Sequence, residues 1–80
     1  MQEIFERMQE IISEQFGVEE SSVTESTSFE EDLGADSVDL VELVMAMEDE
    51  FKIGEVGEDE LAGLSTVGDC VKFLAKRLDA

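Results

Sequence analysis

The sequence predicts an all-α bundle of three longer helices, one short helix and a long first loop. Three observations carry that expectation. Three segments repeat their apolar residues at helical spacing, no segment alternates apolar and polar residues at strand length, and the chain contains no proline. Its 80 residues suit a single domain over 1–80, a size at which one core leaves only a few kcal/mol of net stability.

Residues 3–16 place Ile4, Phe5, Met8, Ile11, Ile12 and Phe16 on one side of a helix, and Gly17 follows as a stop. From Val18 to Asp36 the pattern dissolves into short polar and acidic stretches. Val23, Phe29 and Leu33 are the anchors that would pin this loop to the core. Residues 37–51 form the strongest helical segment, with Leu40, Val44, Met47 and Phe51 as its expected buried stripe. Asp36 is a good N-cap, and Asp39 three residues on suggests a capping box with Asp in place of Glu. A loop with Gly54 and Gly57 leads to a short helix over 58–62, whose three carboxylates sit where the dipole favours them. Ser65 or Thr66 caps a last helix over 66–78, with Val67, Val71, Leu74 and Leu78 inside and Lys72, Lys76 and Arg77 toward its C-terminus. Gly68, near its start, costs about 1 kcal/mol of helix propensity relative to alanine.

Twenty-two acidic against five basic side chains give a formal charge of −17. Such a surface repels nucleic acid and anionic lipid head groups, so basic proteins are the expected partners and a monomer the expected state. Solubility alone explains the charge poorly, because self-repulsion on this scale opposes a compact chain. One cysteine and no histidine exclude an internal disulfide, a Cys/His nucleophile and a His-containing metal site. General acid–base catalysis near neutrality has no ready residue, and the chain is expected not to be an enzyme. The N-terminus carries charges every few residues, and no segment is continuously apolar. We therefore expect neither a signal peptide nor membrane insertion, and a cytoplasmic location.

Ser37 follows Asp36 at the start of the second helix, where backbone N–H groups and the dipole favour an attached anion. On spacing alone it is more commonly just the first residue of a capped helix. Val38, Glu42, Met45 and Asp49 recur at i, i+4, i+7 and i+11, a second stripe beside the core stripe. Apolar contacts ringed by acids suit a transient basic partner, and an ordinary solvated face fits the spacing equally well.

The run LGADSVDLVELVMAMEDEFKI resembles the region around the modified serine of bacterial acyl carrier proteins, and the likeness extends from IISEQFGVEESSV to STVGDCVKFL. The resemblance implies that family's four-helix fold, with a 4'-phosphopantetheine arm transferred from coenzyme A to Ser37 by a phosphopantetheinyl transferase. It implies fatty acyl cargo carried as thioesters to fatty acid synthesis enzymes with basic docking patches. Asp36, Asp39, Glu42, Glu48 and Asp49, with Val38 and Met45, would meet those partners. Phe29, Met47, Val56, Leu61, Leu64 and Cys70 would line an apolar cavity for the acyl chain. No specific metal site is implied.

Four features depart from the family pattern. Val38 stands where leucine commonly follows the serine, and the loop around Gly54 is one residue longer. Gly57 replaces a frequent proline, which should loosen the third helix. Leu61 stands where alanine is frequent, which should shorten the cavity. A specialised carrier of polyketide, aminoacyl or peptidyl groups shares the serine and the fold, and the dense carboxylates favour fatty acid synthesis over it. A structural interaction module would need no hydroxyl at position 37. A calcium loop starting at Asp32 fails, because Gly34 offers no side-chain oxygen at its third position, Ser37 replaces the turn glycine and Leu43 replaces the twelfth-position glutamate. Cys70 reads as a small buried hydrophobe.

Overall fold

A computed structural model describes residues 2–79; Met1 and Ala80, the ends of the expected domain, lie outside it. It contains α1 (Gln2–Phe16), α2 (Ser37–Phe51), α3 (Glu58–Ala62) and α4 (Val67–Asp79), with one 3-10 turn at Glu20–Ser22. The two middle helices have the expected limits, and the outer two shift by a single residue. Among the described residues there is no strand, only an isolated antiparallel bridge between Ser28 and Thr66.

Each helix end has a local cause. Gly17 takes φ +68° and donates its N–H to the Ser13 carbonyl at 2.9 Å, a left-handed stop that glycine adopts without a Cβ penalty. Lys52 closes α2 in the same conformation at φ 53°. Thr66, one of the two expected caps, starts α4: its Oγ1 accepts the Asp69 N–H at 3.2 Å while Asp69 Oδ2 accepts the Thr66 N–H at 3.1 Å and the Ser65 N–H at 3.0 Å. Those two backbone donors, Ser65 first, hold the Asp69 carboxyl below the usual aspartate range.

The core gathers Met8, Ile11 and Ile12 from α1, Leu43, Val44 and Met47 from α2, and Val67, Cys70, Val71 and Leu74 from α4. Each fully buried Leu, Ile, Val or Met contributes about 1.5–3 kcal/mol relative to exposure. Two expected stripes need correction. In α2 Leu43 is only 1% exposed, whereas Leu40 and Phe51 are half-buried. The inner face is Leu43/Val44/Met47, rotated from the stripe the spacing suggested, because Leu40 borders a cavity and Phe51 is the last residue of the helix. In α4 Leu78 is 48% exposed, lying in a shallow groove with Ile4 and Phe51 where the bundle tapers.

The long loop is anchored by Val23 and Phe29, each 1% exposed, and by half-buried Leu33. Buried Ala35 and Thr27 add to these, the Thr27 hydroxyl accepting the Thr24 N–H at 2.9 Å. Gln9 Nε2 holds the loop from α1, donating to the carbonyls of Glu20 at 3.1 Å and Val23 at 2.9 Å. From the other side, the N–H groups of Val67 and Gly68 donate to the carbonyls of Thr27 at 3.0 Å and Glu25 at 2.8 Å. Donors at a helix start with no partner inside the helix are thereby satisfied by the loop. This explains Gly68, whose absent Cβ would lie 2.9 Å from the Glu25 carbonyl oxygen.

Candidate functional site

Ser37 is exposed and is the first residue of α2. Asp36 precedes it in extended backbone (φ −102°, ψ −174°), and its Oδ1 accepts the Asp39 N–H at 3.0 Å. Asp39 Oδ2 accepts the Asp36 N–H in return at 3.2 Å. The capping box expected from the sequence therefore fixes the turn that carries Ser37, an arrangement typically worth about 1 kcal/mol for its N-cap half. Gln15 Nε2 adds a tie from α1 to the Asp39 carbonyl at 2.8 Å. A hydroxyl on a helix start held this firmly is open to an approaching reagent, beside the positive end of the α2 dipole.

Down the outer face of α2, Val38 is 62% and Met45 60% exposed, with Glu42 and Asp49 exposed between and beyond them. Val41, 46% exposed, belongs to the same surface and was missed in the sequence; its i+3 spacing from Val38 was the available signal. Glu48 differs from the other acids. It is half-buried and its Oε2 accepts the Val56 N–H at 2.7 Å, so this carboxylate also holds the loop between α2 and α3.

Phe29, Leu61 and Leu64, three of the six expected cavity residues, come together with Leu40 around a cavity of about 210 Å³. Met47, Val56 and Cys70 do not line it. Met47 and Cys70, at 0% and 1% exposure, are packed into the core, and Val56 is half-buried on the loop. The cavity thus stops at the core instead of entering it. Burial, foremost, and the Asp69 charge next to it push the Cys70 thiol up to about 12. A wider groove of about 350 Å³ between α1 and α2 is walled by Glu14, Asp49 and Glu50, a poor home for an apolar chain.

One wall of the cavity is α3, which contains no fully buried residue. It is held from α4 by Arg77, whose Nη2 donates to both Glu60 oxygens at 2.8 Å and whose Nη1 donates to the Ile53 carbonyl at 3.2 Å. The same guanidinium lies 5.0 Å from the centre of the Phe73 ring. Glu60 Oε1 also accepts the Gly57 N–H at 3.1 Å. That backbone donor, followed by Arg77, holds the Glu60 carboxyl below the usual range. Among the described residues no three His, Cys, Asp or Glu side chains are placed to hold a metal ion, and no helix is long and apolar enough to cross a membrane.

Residues 6–74 match the family model described as the phosphopantetheine attachment site. Among solved structures, the chain is similar to an acyl carrier protein from Enterococcus faecalis of high thermal stability. That match has 32% identity, a TM-score of 0.79 and coverage of 95% of each chain.

Proposed function

The chain belongs to the phosphopantetheine attachment-site family, whose prosthetic group is 4'-phosphopantetheine, and on that footing we propose that Ser37 is the attachment residue of a fatty acyl carrier. The observation that carries this reading is the exposed Ser37 hydroxyl on the doubly capped first turn of α2. The surroundings fit the group: the hydroxyl faces solvent, and the adjoining helix end favours a phosphodiester. In the attachment step Ser37 Oγ forms a bond to phosphorus as a pyrophosphate P–O bond of coenzyme A breaks. The hydroxyl proton passes to the transferase, and the adenosine bisphosphate leaves. Once bound, the group supplies a thiol on a long flexible arm for thioester formation.

The chain's own residues then present and shelter. Asp36, Asp39, Glu42 and Asp49 draw in basic partners, and Val38, Val41 and Met45 supply a small apolar contact that keeps the complex short-lived. Glu48 shares this face while holding the loop. The chemistry belongs to the partners, the transferase and the enzymes of fatty acid synthesis in the cytoplasm, and the carrier acts as a monomer. Incubation with coenzyme A and a broad-specificity phosphopantetheinyl transferase should add one phosphopantetheine to the wild type and none to Ser37→Ala, read by intact mass. A folded wild-type protein that gains no mass refutes the assignment.

A further inference from the structure

We propose that the outer face of α4 and the groove beside it form a second docking surface, for an acidic segment of a partner protein in which apolar side chains stand between carboxylates. The inference goes beyond the carrier reading and needs no arm on Ser37. Lys72, Lys76 and Arg77 are three of the five cations in the chain, and with Phe73 they occupy positions i, i+1, i+4 and i+5 on one side of a helix. Favourable interaction with the helix dipole accounts for Lys76 and Arg77, which lie in the last turn of α4. It does not account for Lys72, one turn earlier. Lys72 and Lys76 are exposed and have no ion-pair partner among the described residues. The Asp69 carboxylate, a turn before Lys72, is taken up by the Ser65 and Thr66 N–H groups. Like charges one turn apart repel each other, and an acidic partner relieves that repulsion.

A groove of about 350 Å³ between α3 and α4 is lined by Glu60, Phe73, Lys76 and Arg77. At roughly 30 Å³ for each group of water size it holds about twelve non-hydrogen groups, enough for one large apolar side chain and a neighbouring carboxylate. Its apolar wall is the half-buried Phe73 ring with the stems of the two cations. The one carboxylate in its lining, Glu60, is paired with Arg77 at 2.8 Å, so Lys76 sets the sign that an incoming group meets. The groove between α1 and α2, by contrast, is walled by Glu14, Asp49 and Glu50 with no cation. The −17 charge does not cancel this local preference. The bundle measures 30 × 26 × 19 Å, and at physiological salt a charge is largely screened beyond about 8 Å. Position also separates this surface from the α2 face. Arg77 bonds the Ile53 carbonyl, just past the end of α2, so the groove lies about 21 Å along that helix from Ser37. A partner seated there leaves the serine open.

The test titrates the unmodified protein with a hexapeptide carrying Leu-Phe between two pairs of glutamates, followed by backbone amide NMR shifts. Shifts should concentrate at Glu60 and at residues 72–77, and binding should weaken as salt rises from about 50 to about 200 mM. A peptide with glutamine for glutamate, and one with Ser-Ser for Leu-Phe, should each bind more weakly. Lys76→Gln should weaken binding by about 1.5- to 5-fold, and adding Lys72→Gln should weaken it again by a similar factor. Ser21→Glu, which makes the same single-unit change in net charge at an exposed position of the first loop, should leave binding unchanged. Absence of shifts, shifts centred on the α2 face, equal binding of the glutamine peptide, or equal losses for Lys76→Gln and Ser21→Glu each overturn the proposal. Pelleting with phosphatidylglycerol vesicles that Lys76→Gln abolishes would assign the surface to a membrane and overturn the choice of partner. Because every sample lacks the arm, none of these outcomes bears on Ser37 as the attachment residue.

Discussion

Replacing Gly68 by alanine should weaken this protein, although the same change in a helix ordinarily strengthens one. Helix propensity favours alanine by about 1 kcal/mol. Against this, the new Cβ would stand 2.9 Å from the Glu25 carbonyl oxygen, a backbone atom with no flexible end to swing aside. Overpacking of this kind costs about 1–3 kcal/mol. Moving the loop away also strains the bonds from the Gly68 and Val67 N–H groups to Glu25 and Thr27, each worth about 0.5–1.5 kcal/mol net. The balance is a loss of about 1–2 kcal/mol, or a fall of about 5–15 °C in midpoint for a chain of this size. Gly63→Ala is the control. Its backbone lies in the ordinary right-handed region (φ −87°, ψ −1°) and its Cβ would have a normal 3.6 Å contact, so it should gain about 0.4–1 kcal/mol. Thermal and urea unfolding of both variants, followed by far-UV circular dichroism, checks the pair. A Gly68→Ala protein as stable as wild type would remove the argument that the loop and α4 meet by close backbone approach.

Acid should act in two opposite directions. From neutrality down to the upper carboxylate range, protonation relieves the repulsion behind the −17 charge and stability should rise. The Asp69 carboxyl is depressed in the fold, so its capping contribution is complete above about pH 3.9 and is lost as pH falls through its lowered value. Thr66→Ala, which removes the reciprocal hydroxyl, should cost about 0.5–2 kcal/mol at neutral pH. A pH series of urea midpoints checks the rise and fall, and a monotonic fall from neutrality would refute the first step. Cys70, with its thiol pushed up to about 12 and buried, should resist an aromatic disulfide reagent in the native protein and react fully in urea. Rapid labelling of the folded chain would contradict that burial.

What the sequence made legible was what one helix decides for itself. The limits of α2, the Asp36/Asp39 box and the Thr66 cap depend on residues within four positions of one another. The 3-10 turn at Glu20–Ser22 was not anticipated: its own bonds are local, from the Ser22 and Val23 N–H groups to the Glu19 and Glu20 carbonyls, and what seats it on α1 is Gln9, eleven and fourteen residues away from the carbonyls it binds. Leu40 and Leu43 sit on neighbouring flanks of α2, and periodicity could not decide which faces the core and which a cavity. Gly68 looked like a propensity defect because the Glu25 carbonyl that requires it is distant in the chain. Of the six residues expected to line a cavity, Phe29, Leu61 and Leu64 border the one beside α3, and Met47, Val56 and Cys70 do not. Resemblance indicated which residues approach the space, whereas the packing of Met47 and Cys70 determined where it ends.

The fastening of α3 has a mechanical consequence. A five-residue helix with nothing fully buried, held by one guanidinium on one side and by the Glu48 bond to the loop on the other, is the segment least costly to detach. The fold therefore has a stiff flank, where α1, α2 and α4 interlock, and a hinged flank bordering the cavity. Widening the cavity need only disengage the hinged flank, so its cost scales with one short turn of chain while the rest of the bundle stays folded.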